Sequence, residues 1–259
     1  MRLLRALPVP LVAALAAVGV WHAAVVAFSV PAYLVPPPAE VALRLLDDWR
    51  QLGFHAAVTL AEALGGFALA AVFGVLAAAI LVWSPSLERA VMPVLLVIQT
   101  FPKIALAPLI VIWFGLGVGP KLLISFLVAV FPVLVSAIVG LRSVEKDMLD
   151  LARATRAPAW RIFWRVRLPF ALPHIFGGLK VAVAFSVVGA VVGEWVGADR
   201  GLGYLLLWAN ANLDTALLFA ILAWLAAIGL ALYYAVEAAE RLALPWHVSM
   251  RGRDLPLGT

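Results

Sequence analysis

Cysteine is absent from this 259-residue chain. That excludes a disulfide framework, a thiolate metal site and a cysteine nucleophile. It does not fix the compartment, because a bacterial inner-membrane protein needs no disulfides. Charge is scarce too: 13% of residues are Asp, Glu, Lys or Arg, against roughly 25% in a soluble protein. The four histidines, His22, His55, His174 and His247, show no metal-ligand spacing. No nucleophile triad or carboxylate pair points to catalysis. No G-x-x-x-x-G-K-[ST] loop occurs, so the chain is not expected to be an ATPase. What fills the chain is apolar side chain, at 65% of residues with a mean hydropathy of +1.07. A soluble enzyme, a disordered chain and a nucleic-acid reader are thereby excluded, and an integral membrane protein is left.

A membrane helix needs about 20 mostly apolar residues to cross about 30 Å of hydrocarbon. Stretches 6–39, 63–87, 122–141 and 215–236 carry no charge. Stretch 90–120 holds only Lys103, and 175–196 holds Lys180 and Glu194. Six spans are expected, near 8–29, 58–83, 90–113, 121–141, 174–197 and 215–238. They leave room for one domain over 1–259 and no separate soluble one. The runs are apolar on all sides, unlike the alternating strands of a membrane barrel, so an all-α protein is expected. Met1 to Arg5 before an apolar run resembles a signal peptide, but the run is long for one. A retained anchor is expected.

Basic residues orient the spans. With the N-terminus cytoplasmic, thirteen lie inside: Arg2, Arg5, Arg89, Arg142, Lys146, Arg153, Arg156, Arg161, Arg165, Arg167, Arg241, Arg251 and Arg253. Four lie outside: Arg44, Arg50, Lys121 and Arg200. Both termini are therefore expected in the cytoplasm. Trp83, Trp113, Trp195 and Trp208 suit interfacial belts.

One internal loop on the cytoplasmic side is long, from Arg142 to about Pro173. Met148, Leu151, Ala152 and Thr155 follow helical spacing. Trp160 and Trp164 are four apart, as are Ile162 and Val166. Pro158 is expected to separate two short helices, with Pro169 and Pro173 closing the second. The residues alone leave two readings: an interfacial helix pair drawn to anionic lipid, or a docking site for a cytoplasmic protein.

At this point the sequence resembles a family. Permease subunits of bacterial ATP-binding-cassette importers carry E-A-A, three residues, G, nine residues, I-x-L-P. Here Asp150, Leu151 and Ala152 take the E-A-A place, Arg156 the glycine place, and Val166, Leu168 and Pro169 the I-x-L-P place. Asp for Glu and Arg for Gly are departures, and the turn is expected at Ala157-Pro158 instead. Further motifs are similar to the nitrate/sulfonate/taurine branch: V-P-P-P-A-E-V at 35–41, I-A-L-A-P-L at 104–109, W-F-G-L-G at 113–117, G-E at 193–194, G-L-G-Y at 201–204 and L-P-W at 244–246. Together they cover about 34–247.

The resemblance implies a type I importer permease (MetI-like) fold with coupling helices at about 143–170. It implies a separate ATPase dimer, carrying ATP and Mg, docked on 148–169. A second copy of the chain, an extracytoplasmic solute-binding protein docking on 31–57 and 197–213, alternating access and a bacterial inner-membrane location follow in the same way. The branch takes nitrate, sulfonates, taurine, thiamine pyrimidine precursors and riboflavin. Q-T-F-P-K-I-A-L-A-P-L at 99–109 and N-L-D-T at 212–215 lean toward the heterocycles.

Ionisable residues inside spans raise functional hypotheses. Lys103 follows Phe101-Pro102, and a proline bend either exposes it to a wet pathway, where it attracts an anionic group, or leaves it snorkelling or paired. Glu194 is either a gate or dimer contact, or a capped interfacial carboxylate. Lys180 is expected to snorkel and Glu62 to sit at an interface. Gly189, Gly193 and Gly197 make a smooth face for intrachain packing, or for a dimer interface or pathway. Gly201 and Gly203 join the candidate pathway or gate. The segment 39–50 is expected to be a short outer helix. An ion-coupled carrier using Lys103 and Glu194 is the alternative, although the two halves show no convincing repeat.

Overall fold

The computed structural model describes residues 9–245, with side chains described from 12 onward apart from Pro85. Arg2, Arg5, Trp246, His247, Arg251 and Arg253 lie outside the described residues. Among the described residues every regular element is helical. In order they are α1 (Val9–Ala27), α2 (Pro38–Asp47), α3 (Trp49–Trp83), α4 (Pro85–Thr100), a tight turn at Lys103–Leu106, α5 (Ala107–Phe114), α6 (Val118–Arg142) and α7 (Lys146–Ala154). Then follow α8 (Ala159–Ile162), a widened turn at Phe163–Arg167, α9 (Leu168–Gly197), α10 (Leu202–Ala211) and α11 (Thr215–Ala243).

Four helical stretches are long and apolar enough to cross a membrane, and α4 with α5 makes a fifth if the bent pair is one span. The sixth expected span, α1, falls short of that length over Val12–Ala27. The expected straight span at 90–113 is broken, because Phe101 precedes Pro102 and is pushed to extended backbone (φ −69°, ψ 132°). The two halves meet at 79°. The outer loop expected at 31–57 is mostly helix. Its last part is the opening of α3, whose 35 residues extend about 52 Å.

Helix α6 is clasped between α3 and α9. Close approach needs small residues, and the pinch is at Ser125. A Cβ on Gly66 of α3 would meet Ser125 Oγ at 2.2 Å, and one on Gly189 of α9 would meet Ser125 Cα at 2.6 Å. Ser125 Oγ donates to the Ser186 carbonyl at 2.8 Å, so the polar atom at the pinch is satisfied. One apolar core joins α2, α3, α9, α10 and α11. A second joins the far ends of α3 and α6 to the start of α9. Helix α1 leans on this body through Trp21 stacked on Phe219 at 5.4 Å.

Polar ties hold the two ends. Asp214 caps α11 by accepting from the Leu217 N–H at 3.0 Å, and its other oxygen takes Arg44 of α2 at 2.5 Å. That hydrogen bond holds the Arg44 guanidinium above its ordinary pKa, with the charges of Asp214 and Asp48 helping. At the opposite end Arg142 pairs with Glu88, tying α6 to α4. The expected closure at Pro169 and Pro173 is not found, and helix runs on from Ala159 to Gly197. The widened turn at Phe163–Arg167 lies just ahead of Pro169, which has no N–H to give to the preceding turn.

Candidate functional site

Helix α10 starts deep in the protein, where its first N–H groups need acceptors. Three side chains from two other helices supply them. Gly201 N–H donates to His55 Nδ1 at 3.0 Å, Leu202 N–H to Thr59 Oγ1 at 2.8 Å and Gly203 N–H to Glu194 Oε2 at 2.5 Å. Thr59 Oγ1 in turn donates to Glu194 Oε1 at 2.7 Å. The carboxylate of Glu194 is 1% exposed, and the positive end of α10 offsets its burial. Glu194 is thus turned inward on its own chain. The dimer contact weighed for it is not the geometry found.

This arrangement explains G-L-G-Y. A Cβ on Gly201 would lie 2.1 Å from Glu194 Oε1, and one on Gly203 would lie 2.7 Å from Oε2. Gly201 also has φ +109°, a conformation that side chains resist. Gly189 and Gly193 face Ser125 and Lys121 of α6, so within this chain they serve helix packing.

Beside the cap lies a buried ion pair that the sequence reading misplaced. Glu62 was expected at an interface and Lys121 in an outer loop. Instead Lys121 Nζ donates to Glu62 Oε1 at 2.7 Å, with side chains 7% and 3% exposed. Glu62 and Lys121 stand at the edges of the expected 58–83 and 121–141 spans, but the helices continue past both (Trp49–Trp83 and Val118–Arg142) and turn the two charges toward each other, which charge-free stretches do not reveal. Glu194 is close enough to interact electrostatically with both. One signal was available: His55, Thr59 and Glu62 fall at helical spacing on one face of an apolar segment. Lys180 does not snorkel either. It turns inward to Glu240 of α11.

The break in the third span opens a cleft of about 320 Å³ between α4, the 103–106 turn and α6. Its walls are apolar apart from Lys103, whose ammonium sits 5.4 Å from the Phe131 ring centroid. Phe101 lines the same cleft. Among the described residues no carboxylate lies within ion-pairing distance of Lys103. Of the alternatives weighed for Lys103, a structural ion pair is not found among the described residues, and the ammonium lies over an aromatic face instead.

At the far end, α7 and α8 form a hairpin against the ends of α3 and α9. Asp150, Leu151 and Arg156 are exposed, while Ala152, Val166, Leu168 and Pro169 are half-buried. Leu168 packs against the second core. The turn was expected at Ala157-Pro158 but falls at Thr155-Arg156, and Pro158 caps the start of α8. Arg156 has φ +54°, so it keeps the left-handed backbone that a glycine adopts freely. Among the described residues no group of His, Cys, Asp and Glu could hold a metal ion.

A bundle of long apolar helices with a broken span and a projecting helical hairpin has the architecture of an integral membrane protein. The chain belongs to the family of binding-protein-dependent transport system inner membrane components, whose model matches residues 70–243. It is a transport permease rather than an enzyme. It is 38% identical over 234 residues to the riboflavin transport system permease protein RibX of Chloroflexus aurantiacus, covering 88% of this chain and 86% of that one. It is 37% identical over 215 residues to the formylaminopyrimidine transport permease protein ThiX of Halalkalibacterium halodurans, covering 83% and 86%. Its fold matches the inward-facing MetNI methionine ABC transporter with a TM-score of 0.63 at 19% identity, covering 73% of this chain and 94% of that one.

Proposed function

We propose that this chain is the membrane subunit of an ATP-driven importer that moves a small heterocyclic solute into the cytoplasm by alternating access. ATP and Mg sit on a separate ATPase dimer, which docks on the α7–α8 hairpin through Asp150, Leu151 and Arg156. Ala152, Val166, Leu168 and Pro169 anchor that hairpin to the spans. The single observation that carries this reading is the hairpin itself: its outer face is exposed, and its second arm continues without interruption into α9. The basic bias supports cytoplasmic termini. Two copies pair through the α4–α5 face, where Val97, Ile98, Ile112, Trp113 and Phe114 are all exposed. A solute-binding protein delivers its ligand at the end holding α2 and α10.

Lys103 lines the pathway. Its ammonium donates to a ring carbonyl or an acid group of the solute, and Phe101 and Phe131 offer faces to a planar ring. The likeness to riboflavin and formylaminopyrimidine permeases supports the heterocycle reading. A small anion of the nitrate, sulfonate or taurine type is the second reading, favoured by the unpaired cation. Glu194, Gly201 and Gly203 form the hinge at which α10 meets α9, with Gly189 and Gly193 guiding the slide of α9 along α6.

The test is uptake into proteoliposomes holding the chain, a co-purified ATPase and its binding protein. Asp150→Ala with Leu151→Ala is expected to abolish ATP-driven uptake while the chain stays folded. Uptake that persists without any ATPase and collapses with the proton gradient would establish an ion-coupled carrier instead.

A further inference from the structure

A second cavity, about 150 Å³, lies where the α7–α8 hairpin meets the end of α3. Its floor is apolar, made by Ala79, Val82 and Phe163, and its rim carries Arg153 and Arg167. Arg167 is half-buried and, among the described residues, has no ion-pair partner. Arg142 and Arg153 lie within electrostatic reach of it, and neither relieves the excess. Arg142 is already paired with Glu88. Arg153 meets only the exposed Asp150, at 3.0 Å. Two guanidiniums thus line the cavity, a third lies near, and the one that is half-buried, Arg167, is left without a carboxylate among the described residues.

We propose that this cavity binds the phosphodiester head group of an anionic lipid, gripped between Arg153 and Arg167. Guanidinium forks match phosphate oxygens in pairs, and basic pockets at membrane borders take such head groups. The apolar floor favours a lipid over a free anion. It continues an exposed stripe down α3 formed by Trp83, Ile80, Leu76 and Phe73, along which an acyl chain lies. Trp83 and Trp164, 58% and 61% exposed, stand at this end, and indole rings favour the head-group border. The cavity touches the docking face only through the Arg153–Asp150 pair; Arg167 has no such link, so loss of lipid retention in its variant alone would leave the importer reading untouched.

The test uses the full chain in nanodiscs of phosphatidylcholine with and without phosphatidylglycerol, read by thermal unfolding and by native mass spectrometry of retained lipid. Phosphatidylglycerol is expected to raise the wild-type midpoint and remain bound. Arg167→Gln and Arg153→Gln are each expected to weaken retention about fivefold, with Arg167→Lys recovering part of it. Arg161→Gln, whose guanidinium lies over Trp160 at 5.4 Å and outside the cavity, is expected to retain the lipid. Equal loss in Arg161→Gln would mean diffuse attraction and would overturn the site. Equal protection of the phosphatidylcholine sample by inorganic phosphate would overturn the lipid as its occupant. Loss of ATPase association in Arg167→Gln with lipid retention unchanged would assign the arginine to a carboxylate of that partner, again against the proposal.

Discussion

Lys121 and Glu62 join α6 to α3 as a nearly buried pair, which makes their removal calculable. Taking away one member of a buried pair leaves the other charge without its counter-ion and costs about 3–5 kcal/mol, whereas replacing both with apolar side chains of similar volume is close to neutral. The two single losses are not equal here. Lys121→Met leaves Glu62 beside Glu194, two carboxylates with no cation between them. Glu62→Met leaves Lys121 still within reach of Glu194. Lys121→Met should therefore lie at the upper end of the range, Glu62→Met at the lower end, and the double variant within about 2 kcal/mol of wild type.

The assay is reversible unfolding of the purified chain by SDS in mixed micelles, run as a double-mutant cycle. The benchmark is the average interhelical hydrogen bond in a membrane protein, about 0.6 kcal/mol. A coupling energy well above that is expected, because the two groups are of opposite formal charge, 2.7 Å apart and nearly buried. Coupling at or below the benchmark, or a larger loss for Glu62→Met than for Lys121→Met, would refute the reasoning about this cluster.

Other perturbations follow from the same geometry. Arg156→Gly should raise stability by about 1 kcal/mol, since a side chain in the left-handed region costs about 1–2 kcal/mol, while Arg156→Ala should give no gain; thermal unfolding distinguishes them. Gly203→Ala should destabilise by about 1–3 kcal/mol through overpacking against Glu194 and the Val191 carbonyl, read by thermal unfolding. Arg44→Gln should release α2 from α11 at a cost of about 1 kcal/mol, because the pair is partly exposed; faster hydrogen exchange over residues 38–47 reports it.

The fold was legible wherever one kind of interaction decided the outcome. Long apolar runs can only be spans, so α6, α9 and α11 were found close to their limits. The Phe101-Pro102 step acts through local sterics, and the break it causes was foreseen as a bend although not as a 79° turn. Partnership across helices was not legible. Lys121 reads as a loop cation because nothing nearby in sequence says that Glu62, fifty-nine residues earlier, will face it. His55 and Thr59 look unremarkable until α10 is folded back over them. Arg156 failed in the other direction: its identity argued for moving the turn, but a single strained residue costs less than rebuilding a hairpin whose Pro158 already fixes the start of α8.

The two polar features of the chain are joined by one rod. Helix from Ala159 to Gly197 spans about 58 Å, with the α7–α8 hairpin at one end and Glu194 at the other. Its seam with α6 is tight at Gly189 and Gly193, where no side chain separates the backbones, so those turns move with α6 or slide along it as a unit. Compliance is concentrated elsewhere, in the widened turn at Phe163–Arg167 and at Pro169 and Pro173, which have no N–H to give to the helix ladder. Under the proposed function, a push on Leu151 is therefore absorbed or passed on at 163–173, and whatever passes arrives at the α10 cap with little loss. That places the control of coupling in the short segment after the hairpin, where Arg167 and the second cavity also lie. A lipid head group held there would stiffen the one joint the rod possesses.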